Sequence, residues 1–182
     1  MCKACHGTEQ VYPYRKKLPR KKALAAQVSA IKSRTMSIPA RPVHSGTFLV
    51  TSATFDRKRL FQVVARCDLF IETLQHYRRE GYYLLHDFVV MPEHVHLLLT
   101  PQNTTLERVV GLIKGGFSHR LDLKSPVWQK GFTDRRVRNR EEFLAFRRYI
   151  HMNPVEERMC ERAEDYKWSS AWKGAQRSIP QE

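Results

Sequence analysis

Phe88-Val89-Val90-Met91-Pro92-Glu93-His94-Val95-His96-Leu97-Leu98-Leu99-Thr100 decides how this chain folds. Two apolar runs of strand length and β-forming composition flank Pro92-Glu93. Proline cannot donate to a sheet ladder, so Pro92 places a turn there and the runs read as a hairpin of residues 82–91 and 94–100. Side chains alternate along a strand, so His94 and His96 leave one face together while Val95 leaves the other. Two imidazoles held side by side on a rigid strand can grip a divalent metal. Glu93 reads as a turn residue or as a carboxylate partner to one of the histidines, with the turn favoured.

Outward from the hairpin, residues 47–54 (Thr-Phe-Leu-Val-Thr-Ser-Ala-Thr) form a β-branched run introduced by Gly46, a first strand. Phe61, Val64, Cys67, Ile71, Leu74 and Tyr77 recur at helical spacing until Gly81 ends the pattern. Beyond Pro101, Thr104-x-x-Glu107 has the form of a capping box opening a second helix through Phe117; Gly115-Gly116 weaken it or admit another backbone. Residues 127–132 predict a fourth short strand or extended segment, followed by the basic Arg135-Arg136-Val137-Arg138. Asn139, with Glu142 three places on, starts a third helix burying Phe143, Phe146 and Ile150. Pro154 disfavours helical geometry at the residue before it, which puts Asn153 at the helix end. The order predicts an α+β fold, a ferredoxin-like or RRM-like antiparallel sheet with helices mainly on one face.

The 182 residues suit one domain with some extra. Residues 1–45 read as a basic, largely flexible arm, with ten Lys or Arg and one acid, Glu9. The domain proper is expected over 46–172 and a tail over 173–182. With 32 Lys plus Arg against 18 Asp plus Glu, the chain is drawn to polyanions, of which nucleic acid is the commonest. No apolar stretch reaches the ~20 residues of a membrane span, and the amino terminus lacks the apolar core of a secretion signal, so a cytoplasmic protein is expected. The four cysteines are scattered, which predicts reduced thiols; Cys2-x-x-Cys5 with His6 is half of a zinc pattern without its second pair.

A second chemical cluster lies at Arg148-Tyr149-Ile150-His151-Met152-Asn153. On a helix the i, i+4 spacing stacks Tyr149 and Asn153 on one face, with Cβ atoms about 6 Å apart. Five arginines flank that phenol in sequence, Arg135, Arg136, Arg138, Arg147 and Arg148, and suit phosphate clamping. Lys114 and Arg120, toward the far end of the second helix, are further DNA-contact candidates.

The motifs Met91-Pro92-Glu93-His94-Val95-His96-Leu97-Leu98, Phe132 with Asp134, Tyr149-Ile150-x-x-Asn153-Pro154-Val155 and Trp168-Ser169-Ser170, in this order, resemble the REP-associated tyrosine transposases of the HUH superfamily. The resemblance covers residues 46–172 and leaves the basic arm outside. It implies an HUH endonuclease fold, Tyr149 as nucleophile, and Mg²⁺ or Mn²⁺ held by His94, His96 and Asn153. It further implies hairpin-forming single-stranded DNA as partner, a 5′-phosphotyrosine intermediate, and a monomer or homodimer. The chemistry is consistent: neutral imidazole and amide ligands leave an ion its full charge for a phosphodiester, and a tyrosyl phosphodiester conserves the energy of the bond broken. The alternatives are a DNA-binding protein of the same fold that no longer cuts, and a zinc hydrolase built on the His-x-His pair.

Overall fold

The computed structural model describes residues 46–174. Four strands, β1 (Phe48–Ala53), β2 (Tyr83–Met91), β3 (His94–Pro101) and β4 (Thr133–Arg136), form one sheet in the order β2-β3-β1-β4, antiparallel at every joint. Three helices accompany it: α1 (Val64–Arg79), α2 (Leu106–Leu121) and α3 (Arg140–Glu156). The architecture is the α+β one expected.

The unbroken apolar run of β3 follows from its position. It lies between β2 and β1 and is covered on both faces, so Leu97, Leu98 and Leu99 are all buried where a half-exposed strand would alternate. Phe48 and Val50 of β1 pair with Leu99 and Leu97, and Phe88 and Val90 of β2 pair with Leu97 and Val95. Directly paired residues share a face, and this one belongs to α1 and α2. Tyr83, on the same face, donates from its hydroxyl to the Leu74 carbonyl of α1 at 2.7 Å. Phe61, Phe70, Phe117 and Trp128 form an aromatic cluster with ring centroids 5.3–5.9 Å apart, with Trp128 partly buried against the core. α3 packs on the opposite face, the one from which His94 and His96 project.

Several boundaries differ from the sequence expectations. The second helix is capped by Thr105, whose hydroxyl accepts from Arg108 N at 3.2 Å, one residue later than the Thr104 box. Residues 127–132 are extended but touch the sheet through a single bridge, Trp128 to Thr54; the fourth strand is the basic stretch itself. α3 does not stop at Asn153. It continues to Glu156 with Pro154 inside it, because Ile150, Asn153 and Pro154 are all buried and that packing outweighs the weak pre-proline preference. Asn139 caps α3 as expected, its Oδ1 accepting from Glu142 N at 2.8 Å.

The outer edge of β2 is covered by the Trp168-Ser169-Ser170 segment. Val90 N donates to Trp168 O at 2.9 Å and Ser170 N to Phe88 O at 3.0 Å, so unpaired edge groups are satisfied. Trp168 is buried, its indole N–H donating to Asp68 at 3.0 Å. The arm of residues 1–45, the Cys2-x-x-Cys5 pattern and residues 175–182 lie outside the described residues.

Candidate active site

The site sits where α3 crosses the start of β3. His94 and His96 stand with ring centroids 4.7 Å apart, and the Tyr149 ring meets His96 edge-on at 5.0 Å. Tyr149 Oη lies 3.3 Å from His96 Nε2, within a single chain. The other nitrogen of that ring, Nδ1, is 2.7 Å from the hydroxyl of Thr51, its register partner on β1. The Thr51 hydroxyl can donate or accept there, and in the tautomer with the proton on Nδ1 the Nε2 lone pair faces the phenol. Such a contact orients the imidazole ring.

Asn153, one turn along α3, is buried, and its amide N–H points back to the Tyr149 carbonyl at 3.5 Å. His94 Nδ1 is buried without a hydrogen-bond partner. A buried polar atom left unsatisfied carries a desolvation cost and calls for an explanation, and an imidazole nitrogen beside a second imidazole and an amide fits a metal ligand. Among the described residues no third His, Cys, Asp or Glu joins the pair, and the nearest further polar side chain on α3 is the Asn153 amide.

Burial disfavours the charged form of both imidazoles. For His94 desolvation lowers the pKa below 6.5, opposed by Glu93 and assisted by Arg57. For His96 burial lowers it much further, with the neighbouring His94 and then Arg57 adding to the effect. Glu93 is a turn residue, as expected, and pairs with Arg57 at 3.3 Å on the surface.

A second polar cluster fixes α3 to the sheet. Asp87 of β2 is 2% exposed, yet its Oδ1 meets His151 Nε2 at 2.7 Å and accepts from Ser170 Oγ at 3.0 Å. Arg147 Nε lies 2.8 Å from Oδ2 as a charge contact, its N–H misaligned for a hydrogen bond. One carboxylate thereby joins the strand, the tyrosine helix and the carboxyl-terminal segment. His151 turns away from Tyr149, as its i+2 position requires, and serves this cluster. A register shift between Leu85 and Asp87 lets consecutive residues meet α3, His86 contacting the Phe143 ring at 5.4 Å and Asp87 the charged groups. Thr51 and Asp87 are the residues that sequence reasoning missed. A lone carboxylate inside the apolar run of β2 was the available signal for Asp87.

The basic candidates divide. Arg135 shares the histidine face, its guanidinium 5.0 Å from the Phe146 ring and its Nη1 buried and unpaired. Arg147 and Arg148 are exposed on α3 beside Tyr149. Arg138 pairs with Glu142 at 4.0 Å near the helix start. Arg136 belongs to the other face of β4. Lys114 donates to the carbonyls of Gln129 (2.9 Å) and Gly131 (2.6 Å), tethering the extended segment to α2. Arg120 joins α2 to α1 through Glu72 at 2.7 Å and the Thr73 hydroxyl at 3.1 Å. Neither is brought to the histidines. No helix among the described residues is long and apolar enough to cross a membrane.

A sheet presenting paired histidines to a tyrosine-bearing helix places the chain among transposases: residues 48–153 match the family model described as IS200-like transposase, and the chain belongs to that family. The resemblance read from the motifs also holds. The chain is 27% identical over 104 residues to the REP-associated tyrosine transposase of Escherichia coli (strain K12), an alignment covering 56% of this chain and 62% of that protein. It thus spans about three fifths of that relative's length. The solved structure of a REP-associated tyrosine transposase bound to a REP hairpin shares the fold, with a TM-score of 0.66 at 24% identity over 80% of this chain and 89% of that one.

Proposed function

We propose that this protein is a metal-dependent single-strand DNA endonuclease and strand transferase acting on hairpin-forming repeats. Tyr149 Oη attacks a phosphodiester. As the Oη–P bond forms the phenolic proton leaves, and the P–O3′ bond breaks with its electron pair passing to the 3′ oxygen, which takes up a proton. The products are a 5′-phosphotyrosine and a free 3′-hydroxyl. Because one phosphodiester replaces another, the reverse attack by a second 3′-hydroxyl completes strand transfer without a nucleotide cofactor.

The observation that carries this reading is the 3.3 Å between Tyr149 Oη and His96 Nε2 in one chain. It brings Tyr149 and His96 together within one chain, which supports reading the phenol as a nucleophile beside the metal ligands and the site as one that a single monomer can form. His94, His96 and Asn153 would hold the ion, and Mg²⁺ or Mn²⁺ there would polarise a non-bridging phosphate oxygen. The chain's own groups do the rest: Thr51 fixes the His96 ring, Asp87 holds α3 in place, and α3 presents the phenol. Arg135, Arg138, Arg147 and Arg148 supply the positive surface around it, which favours the DNA backbone and makes binding salt-sensitive.

The test is denaturing electrophoresis after incubation of the protein with a labelled hairpin bearing single-stranded flanks and Mn²⁺. A covalent protein–DNA band is expected, absent in Tyr149→Phe, while hairpin affinity stays within about twofold because one exposed-side hydroxyl contributes little to a many-phosphate interface. An adduct that persists in Tyr149→Phe refutes the nucleophile. No adduct from the unsubstituted protein, with hairpin binding intact, means a binder that does not cut.

A further inference from the structure

The turn that follows β1 is unused by the chemistry above and is unusual in three respects. Asp56 and Arg57 both have positive φ, 54° and 51°, the left-handed region that non-glycine residues avoid. The strain is held in place rather than relaxed. Thr54 Oγ1 lies 2.6 Å from the Lys58 carbonyl and 3.0 Å from the Glu93 carbonyl, Phe55 N donates to Val127 O at 2.9 Å, and Thr54 N donates to Glu93 O at 2.9 Å. Strained backbone pinned by its surroundings gathers at functional positions.

What this turn displays is the second oddity. Phe55 is 39% exposed and is the one aromatic among the exposed large apolar side chains of the described residues. A single exposed apolar residue means little alone. Here a cation stands over it, Lys58 Nζ lying 5.8 Å from the ring centroid, and Arg57 and Arg59 stand on either side of that lysine in the sequence.

The third is location. Ala53, at the end of β1, pairs with His94, and the charge of Arg57 reaches both His94 and His96. The turn thus begins two residues after the register partner of His94, at the same end of β1.

We infer that Phe55, with Lys58 and Arg57, is a binding shelf for an unpaired nucleotide next to the cleaved bond: a base stacks on the Phe55 ring and its phosphate is met by the two cations. An aromatic platform edged with positive charge suits single-stranded nucleic acid, whose bases are free to stack, and suits a paired stem poorly. Because the shelf is preorganised, little ordering is required when the strand arrives. The inference rests on the DNA-processing reading above and deepens it by naming what holds the strand outside the stem.

Two DNAs separate the possibilities, a hairpin with unpaired nucleotides on both sides of its stem and the same stem without them, each titrated by fluorescence anisotropy at one salt concentration. Phe55→Ala should weaken binding of the flanked hairpin roughly 5- to 150-fold and leave the bare stem unchanged. Phe55→Trp should keep most of the affinity, and both variants should melt like the parent because the side chain is at the surface. Equal affinity of Phe55→Ala and parent for the flanked hairpin overturns the shelf, as does an equal loss on both DNAs or a Trp variant as weak as Ala. In those cases the covalent-adduct assay still stands by itself, whereas a parent that binds neither DNA removes both proposals.

Discussion

Replacing Asp87 with Ala tests the link between the sheet and the tyrosine helix most directly. Its carboxylate is 2% exposed and meets His151 at 2.7 Å, Ser170 at 3.0 Å and Arg147 at 2.8 Å. Removing one member of a fully buried ion pair costs about 3–5 kcal/mol, chiefly through the charge left stranded. Arg147 is not stranded, since its side chain is 46% exposed and turns to water. Ser170 keeps its 3.2 Å contact with the Phe88 carbonyl. The loss reduces to hydrogen bonds made to a charged acceptor, offset by a carboxylate that no longer needs desolvation, or about 2–3 kcal/mol. For a chain of this size that lowers the midpoint of thermal unfolding by roughly 4–12 °C, read by circular dichroism. Asp87→Asn, which retains shape and hydrogen bonding, should lose about half as much. In the adduct assay the Ala variant should slow covalent capture more than it weakens hairpin binding, because α3 carries Tyr149. A melting temperature within about 1 °C of the parent would show that the apolar contacts of Phe146 and Ile150 alone hold α3.

Two neighbouring glycines of α2 should respond in opposite directions. A Cβ on Gly116 would stand 2.5 Å from Tyr77 Oη, so Gly116→Ala overpacks the α1–α2 contact and costs roughly 1–2 kcal/mol. Gly115 has nothing within 4 Å, and Gly115→Ala gains about 1 kcal/mol of helix propensity; equal melting shifts would contradict this packing. The depressed His94 and His96 values predict a pH dependence of the metal-free protein. Above 6.5 both states are neutral and the native state has its full stability; as pH falls below 6.5 the unfolded chain binds protons that the folded imidazoles refuse, so stability declines toward the folded pKa values. Urea titrations in a chelator should show that decline, and a His94→Asn, His96→Asn double variant should flatten it; an unaltered slope would place the titration elsewhere.

Periodicity and local chemistry determined much of this protein. The hairpin about Pro92, the shared face of His94 and His96, the amphipathic course of α1 and the Asn139 cap all depend on neighbours a few residues away, which a linear reading can see. The motifs together were enough to point to the transposase family. What needed the tertiary structure was every contact made across sequence distance. That Tyr149 reaches His96 depends on which face of the sheet α3 covers, and nothing local decides a face. Helix α3 runs through Pro154 because burial of Ile150, Asn153 and Pro154 outweighs a local preference, and the basic stretch at Thr133–Arg136 becomes a strand because β1 offers it an edge. Asp87 could be noticed as a charge in an apolar run, but its partners come from α3 and from Ser170. Lys114 and Arg120 read as cations for DNA from the sequence, and only the fold shows that they also hold backbone carbonyls and a carboxylate. Charge is written in the sequence; whether it faces a ligand or another part of the chain is settled only when distant segments pack.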